Sequence, residues 1–207
     1  MPEKKGYIIV EGHGEVEAAQ NLVQRLAGDL GFHHPWKAPL RWINLHQWES
    51  SRGGVKNAAE FIRSKSDAGA LLLLKDEDDG CPKTLAPETA ELLCSLQLPF
   101  PVAYVLLCPE YEVLFLPCVN QMGFPGDPVW DAESWEARRG VKEWLSSCLP
   151  RGRSYKPTVD QLRLTRKIDF TVLRAADVPS FGSLERSLQL IGENFGSPGA
   201  VYPITGK

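Results

Sequence analysis

The sequence has no apolar run long enough to cross a lipid bilayer, and residues 1–6 lack the apolar core of a secretory signal peptide. We therefore expect a cytoplasmic protein that does not enter a membrane. The five cysteines are odd in number and widely spaced, with no CxxC pair, which argues against disulfides and against a zinc site. Internal repeats and low-complexity tracts are also missing, so 207 residues predict one substantial domain or a core with an appended subdomain.

Several common ligand-binding motifs are missing too. The Gly-His-Gly turn at residues 12–14 has neither the glycine spacing of a dinucleotide fingerprint nor the Lys-Ser/Thr of a P-loop. An EF-hand is excluded because the ligand position after Asp76 and Asp78 falls on Gly80, and the closing glutamate position falls on Pro87.

The formal net charge of −3 conceals an uneven distribution along the chain. Residues 1–137 carry a net charge of −9, residues 138–167 carry +7, and residues 168–207 carry −1. An acidic region beside a basic one suits a substrate with a phosphate backbone. The alternative is an ordinary solvated basic surface, and charge counting alone slightly favours that alternative.

Two short apolar runs, at residues 7–10 and 70–74, each end abruptly in carboxylates. Such runs are typical of strands buried on both faces, as in parallel sheets, whose ligands bind beyond the carboxyl ends of the strands. The carboxylates that would share this crevice are Glu11, Glu15, Asp76 and Asp78. On an extended backbone Asp76 and Asp78 point to one side, and Glu77 and Asp79 would point away from the crevice. Because like charges at short range repel, a divalent cation is the simplest way to hold them together, and hard oxygen ligands favour Mg2+ or Mn2+.

Residues 7–108 alternate between strand and helix patterns, which is typical of a parallel sheet with right-handed crossovers. The predicted strands cover residues 7–10, 40–45, 70–74 and 102–108, and the predicted helices cover 15–30, 55–66 and 84–96. Beyond them the pattern becomes mostly helical, with an irregular segment at residues 117–131. The helices predicted there cover residues 110–116, 134–148, 159–176 and 183–195, and a short strand is predicted at 200–204.

The two acidic stretches together resemble the Toprim domain of topoisomerases, DnaG-type primases and overcoming-lysogenisation-defect (OLD) nucleases. That family has an apolar strand ending in Glu-Gly, here at residues 8–12, and a later apolar strand ending in Asp-x-Asp, here at 72–78. The form Val-Glu-Gly-x-x-Glu at residues 10–15 is most similar to the nuclease branch. The resemblance covers roughly residues 6–118, and the topoisomerase tyrosine motif, the primase zinc finger and an ATPase domain are all missing.

The whole chain also resembles a family of small prokaryotic Toprim-like proteins that are often encoded beside AAA-type ATPases. The later features that carry this likeness are residues 109–116, the Tyr-Lys-Pro-Thr run at 155–158 and the Pro-Ser-Phe run at 179–181. The resemblance implies an α/β, Toprim-like (Rossmann-like) central parallel sheet flanked by helices. Residues 1–118 would form the catalytic core, and residues 119–207 would form an irregular segment and a helical extension packed on it.

The resemblance also implies a metal-dependent nuclease, acting in phage defence or DNA processing with a possible ATPase partner. Glu11 would be the acid/base beside one or two Mg2+ ions, which Asp76 and Asp78 would bind. Glu15 would complete the metal site, although an acid in the first turn of a helix is also favoured by the helix dipole. Glu112 could reach a second metal, or it could simply be an N-terminal helix acid.

The basic stretch supplies the candidates for contact with DNA or RNA. Lys156 is a candidate cation near the scissile phosphate, and a plain basic loop residue is its alternative. The predicted nucleic-acid-binding residues are Arg138, Arg139, Arg151, Arg153 and Lys156.

Two other functions remain open on the sequence. One is a non-catalytic module that binds nucleic acid or docks on a larger ATPase. The other is a receiver-like phospho-acceptor domain, which would want paired acids after the first strand, where only Glu11 stands.

Overall fold

A computed structural model describes residues 2–130, 134–137 and 139–205. Its centre is a five-stranded, all-parallel sheet in the order β2-β1-β3-β4-β5, which confirms the predicted α/β class. The strands are β1 (Lys5–Val10), β2 (Leu40–Arg41), β3 (Ala68–Asp76), β4 (Val102–Leu107) and β5 (Val201–Tyr202). The helices are α1 (Glu15–Asp29), α2 (Val55–Arg63), α3 (Pro82–Ser95), α4 (Val141–Ser147), α5 (Leu162–Thr165), α6 (Phe170–Ala175) and α7 (Pro179–Asn194).

Strands β1 and β3 are apolar on both faces because helices cover both faces of the sheet. Alternate side chains of β1 and β3, such as Ile8 and Leu72, pack into a core that also contains residues of α1 and α7. Their neighbours, such as Ile9 and Leu71, pack into a second core with residues of α2 and α3. This burial on two sides explains why neither strand shows an alternating polar pattern.

Beyond β4 the chain forms a long 3-10 helix, Tyr111–Gln121, whose side chains are mostly buried in the first core. A short π-helical turn, Pro157–Gln161, leads into α5, and β5 returns the chain to the sheet beside β4. Helix α7 packs on β4 and α1. None of the helices within the described residues combines the length and apolar character needed to cross a bilayer.

The elements predicted at residues 40–45, 134–148 and 159–176 are shorter or more broken than the sequence pattern indicated. The strand predicted at residues 40–45 stops at Arg41, and Asn44 adopts a left-handed backbone with φ of 60° that ends any extended run. The helix predicted at 134–148 begins only after Gly140, whose φ is +82°. The helix predicted at 159–176 is interrupted, and a new helix starts where the Asp169 carboxylate accepts hydrogen bonds from the amides of Thr171 and Val172.

Candidate active site

An open cavity of about 450 Å3 lies at the carboxyl ends of β1 and β3. The structure brings together the four carboxylates that the two sequence motifs predict for one crevice. The lining residues are Glu11, Gly12, Glu15, His46, Lys75, Asp76, Glu77, Asp78, Asp79 and Lys142. The cavity therefore lies where open α/β sheets bind their ligands.

Glu11 is held at the wall of this cavity by the segment that follows β2. Its Oε1 accepts a hydrogen bond from the Leu45 amide at 3.3 Å, and its backbone carbonyl accepts one from Arg41 Nε at 3.1 Å. The Tyr104 hydroxyl in turn donates to the Leu45 carbonyl at 2.9 Å. The carboxylate is thus positioned by β4 as well as by its own strand.

Glu15, the first residue of α1, is buried beneath the turn that links β1 to the helix. The pKa of its carboxyl is raised to about 7, chiefly by burial and also by the negative charges of Glu112 and Glu11, while the Gly12 backbone and Lys142 act in the opposite direction. The turn can lie this close because of Gly14, where a Cβ would come within 2.6 Å of Pro157 and 2.5 Å of Gln161 Oε1. Gly14 has a φ of −67°, so it is close packing, not a left-handed backbone, that requires glycine here.

Asp76 ends β3 at the floor of the cavity, and Asp78 lies exposed at its rim. The Asp76 Oδ1 accepts a hydrogen bond from the Tyr111 amide at 2.8 Å. Burial raises the pKa of Asp76 well above its ordinary value, and repulsion from Glu15 and Glu112 adds to the rise. The acids of the two sequence motifs are therefore close enough to oppose one another's ionisation.

Glu77 does not point away from the crevice, as its place between the two aspartates predicted. Its side chain is buried and lines the cavity, where Oε2 accepts a hydrogen bond from Lys75 Nζ at 2.7 Å. Its Oε1 accepts one from the Gly80 amide at 2.7 Å. Burial alone would raise the pKa of Glu77, but Lys75 and Gly80 outweigh it and the pKa is lowered. The prediction was wrong because β3 ends at Asp76 and the extended alternation stops there.

Asp79, predicted likewise to point away, also lines the cavity, at its outer edge. Its carboxylate pairs with the Arg139 guanidinium, which also donates to the Asp78 carbonyl. Arg139, the first described residue of the basic stretch, therefore lies at the rim of the acidic cavity.

Glu112 lies fully buried behind the cavity, in the 3-10 helix that follows β4. Its Oε1 accepts hydrogen bonds from the Tyr155 hydroxyl at 2.8 Å and from Gln161 Nε2 at 3.3 Å. Its Oε2 and the Gln161 Oε1 are buried and receive no hydrogen bond from any residue that the structure describes. Burial raises the pKa of Glu112, although Lys142 and the Tyr155 hydroxyl act in the opposite direction.

Lys142 also lines the cavity, although sequence reasoning did not single it out. Its Nζ lies 2.8 Å from Glu110 Oε2, 3.5 Å from Glu112 Oε2 and 3.7 Å from Asp76 Oδ2. Burial alone would lower the pKa of Lys142, but its carboxylate neighbours raise it above the ordinary value. Membership of the basic stretch was its only sequence signal, because nothing in the spacing indicates that this lysine turns toward the acids of β3.

The other predicted basic residues lie outside the cavity lining. Lys156 is exposed and its amide donates to Asp160 Oδ2 at 3.1 Å, just before the turn that packs on Gly14. Arg151 and Arg153 are exposed in the preceding loop. Arg138, the remaining candidate for nucleic-acid contact, lies outside the described residues.

The chemistry of the donor set fits a hard divalent cation. The cavity presents several carboxylates, the kind of oxygen ligand that such a cation prefers, and those of Glu15 and Asp76 have raised pKa values. Behind it, Glu112 has a buried oxygen that receives no hydrogen bond from the described residues. In the described part of the chain, however, no group of three or more His, Cys, Asp or Glu side chains is arranged to hold a metal ion as it stands. Cationic side chains, above all Lys142, compensate part of the negative charge.

Comparisons of this chain with protein-family models, with curated proteins and with solved structures found no match.

Proposed function

We propose that the protein is a metal-dependent phosphodiesterase that cleaves nucleic acid, with the acidic cavity as its active site. The observation that carries the proposal is the convergence of Glu11, Glu15, Asp76 and Asp78 at the carboxyl edge of a parallel sheet. The likeness of the two acidic motifs to Toprim nucleases supports this reaction over other phosphate chemistry.

Glu11, Asp76 and Asp78 would hold the divalent ion, Mg2+ or Mn2+, and Glu15 would complete the site. Such an ion supplies Lewis acidity at a phosphate oxygen and lowers the pKa of a bound water. Glu11 is the candidate acid/base, because its carboxylate lies at the cavity wall and the Leu45 amide fixes one of its oxygens. The pKa values of Glu15 and Asp76, raised by burial and by neighbouring acids, are expected to fall when a cation joins them.

The basic stretch would hold the phosphate backbone of the substrate. Arg139 lies at the cavity rim beside Asp79, and Arg151, Arg153 and Lys156 are exposed in the loop that follows α4. Contacts of this kind are independent of sequence and weaken as salt is added.

A cleavage assay tests the proposal. Purified protein is incubated with single- and double-stranded DNA and RNA in Mg2+, in Mn2+ and in chelator, beside the Glu11→Gln and Asp78→Asn variants. We expect metal-dependent cleavage that both variants lose while their circular dichroism is unchanged. Lys83→Met, a change at an exposed lysine outside the cavity lining, serves as the control and should cleave normally. Cleavage that survives both acidic substitutions would refute the assignment of the site.

One observation favours a second function, a non-catalytic module that binds nucleic acid or docks on an AAA-type ATPase. The chain itself supplies a cation to two of the acids, since Lys142 Nζ lies 3.7 Å from Asp76 Oδ2 and 3.5 Å from Glu112 Oε2. Under this alternative the purified protein cleaves no substrate with either metal, yet binds nucleic acid or is retained by the ATPase in a pull-down.

A further inference from the structure

Lys142 is held in place from two directions by a single carboxylate. Glu110 Oε1 accepts a hydrogen bond from the Lys142 amide at 3.1 Å, and Glu110 Oε2 lies 2.8 Å from Lys142 Nζ. Gly140, with φ of +82°, turns the chain into α4, and Lys142, the second residue of this helix, then makes both contacts with Glu110. The chain itself therefore fixes the position of the ammonium group.

The carboxylates around the cavity divide into two groups according to whether the chain supplies them with a cation. Lys75 pairs with Glu77, Arg139 pairs with Asp79, and Lys142 reaches Glu110, Glu112 and Asp76. Among the described residues, no lysine, arginine or histidine lies within ion-pair distance of Glu11, Glu15 or Asp78. These three acids, which have no ion-pair partner among the described residues, all line the same open cavity.

Glu112 provides independent evidence that a cation belongs beside its own carboxylate, behind the cavity. The residue is fully buried, and within the described part of the chain its Oε2 receives no hydrogen bond although its Oε1 receives two. The Lys142 ammonium lies 3.5 Å from this oxygen. A buried carboxylate oxygen without a donor is costly unless a positive charge stands close to it.

We propose that Lys142 is a built-in cation that occupies the position a second divalent ion would take. The intact protein then binds one metal ion, at Glu11, Glu15 and Asp78. Asp76 contacts both that ion and the Lys142 ammonium. This inference rests on the proposed metal-dependent function and specifies how many metal ions the site binds. It also gives Glu112 a different role from the one implied by resemblance: Glu112 is the partner of the lysine and does not bind metal while the lysine is present.

The test counts bound ions and does not depend on catalysis. Mn2+ is titrated into the purified protein, and the free ion is measured by electron paramagnetic resonance. We expect one bound Mn2+ per chain in the wild type and two in Lys142→Met, which keeps the aliphatic stem but removes the charge. Lys142→Arg, which keeps the charge, and Lys83→Met, which changes an exposed lysine elsewhere, should both bind one ion.

A second variant guards against a Lys142→Met protein that folds poorly in chelator. The double variant Lys142→Met with Glu112→Gln removes the buried charge together with its partner, keeps an oxygen for the Tyr155 hydroxyl, and should bind one Mn2+. Circular dichroism and the thermal midpoint, with and without Mn2+, monitor folding. A larger Mn2+-induced rise of the midpoint in Lys142→Met than in the wild type is expected, since an added bound ion stabilises the folded state.

The outcomes separate this inference from the proposed function. Two ions in the wild type, or no gain in binding by Lys142→Met, would overturn the role of the lysine and leave the metal-dependent function standing. No ion in the wild type but one in Lys142→Met would refute the proposed function and retain the lysine as a built-in cation. No ion in either protein would refute both.

Discussion

Replacing Glu15 with glutamine should stabilise the metal-free protein at alkaline pH. The Glu15 carboxyl is buried at the start of α1 and lies close to the charges of Glu112 and Glu11, and its pKa is raised from 4.5 to about 7. Glutamine has nearly the same shape, so it removes the ionisation without opening a cavity. The expected gain follows from the free energy that the folded chain expends in ionising a buried acid.

The sign and the size of this effect follow from the two pKa values. Below pH 4.5 the carboxyl is protonated in both the folded and the unfolded chain, so its ionisation does not affect stability. Between about pH 4.5 and 7 the unfolded chain ionises this carboxyl while the folded chain keeps it protonated, so the free energy of unfolding falls as the pH rises, and the fall ends above about pH 7, where both states are ionised. Since one pKa unit corresponds to about 1.4 kcal/mol, the loss above this range is about 3 kcal/mol, and Glu15→Gln should recover it.

Urea unfolding in chelator, at about pH 4 and about pH 8, measures this difference between the wild type and Glu15→Gln. We expect equal stabilities at the lower pH and a more stable variant at the higher pH. Glu17→Gln removes an exposed acid from the same helical turn and should change the free energy of unfolding by less than about 0.5 kcal/mol. A Glu15→Gln protein that is no more stable than the wild type at about pH 8 would refute the electrostatic reasoning.

Three further perturbations test the packing and the surface around the site. Tyr155→Phe removes the hydroxyl that donates to buried Glu112 at 2.8 Å, and should lower the free energy of unfolding by about 1–3 kcal/mol in urea. Gly14→Ala places a methyl group 2.5–2.8 Å from neighbouring atoms and should cost about 1–3 kcal/mol, seen as a lower thermal midpoint. Replacing Arg151 and Arg153 together by alanine should make duplex DNA binding less sensitive to salt, lowering the log–log slope by about 0.9 for each phosphate that these arginines neutralise.

Each of these has an outcome that would contradict it. Gly28→Ala is the control for Gly14→Ala, because its Cβ would meet nothing within 4 Å and alanine favours a helix, so stability should rise. If both glycine variants lose stability equally, close packing at Gly14 is not the cause. An unchanged urea midpoint in Tyr155→Phe would mean that the hydrogen bond from this hydroxyl to Glu112 contributes nothing to the free energy of unfolding. A salt slope unaffected by the two arginine substitutions would remove this loop from the nucleic-acid interface.

Much of the sheet could be predicted from the sequence, because strands buried on both faces leave a distinctive pattern. The runs at β1 and β3 are continuous apolar segments, and each ends in acids where the strand leaves the core. Parallel pairing then brings those acids to one edge of the sheet. The convergence of Glu11 with Asp76 is therefore a consequence of local pattern and topology together.

The remaining features of the site depend on contacts between segments that are distant along the chain. Lys142 and Glu110 are 32 residues apart in the sequence, and Tyr155 and Glu112 are 43 apart, so no local spacing predicts either contact. Because α4 begins only after Gly140, the direction in which Lys142 faces depends on this helix start. A prediction of one continuous helix over residues 134–148 misses it. Glu77 departs from its predicted orientation because the extended alternation does not continue beyond the end of β3.

The Mg2+-dependent cleavage rate of Asp76→Asn, measured beside that of the wild type, decides whether the acidic cavity is the active site. Asparagine keeps an oxygen that can accept the Tyr111 amide hydrogen bond, so the variant should fold while it loses one charge at the cavity floor. We predict that cleavage falls by at least about a hundredfold, a loss of about 3 kcal/mol in transition-state stabilisation, with the unfolding midpoint nearly unchanged. Cleavage at the wild-type rate by a folded Asp76→Asn protein would contradict the proposed site.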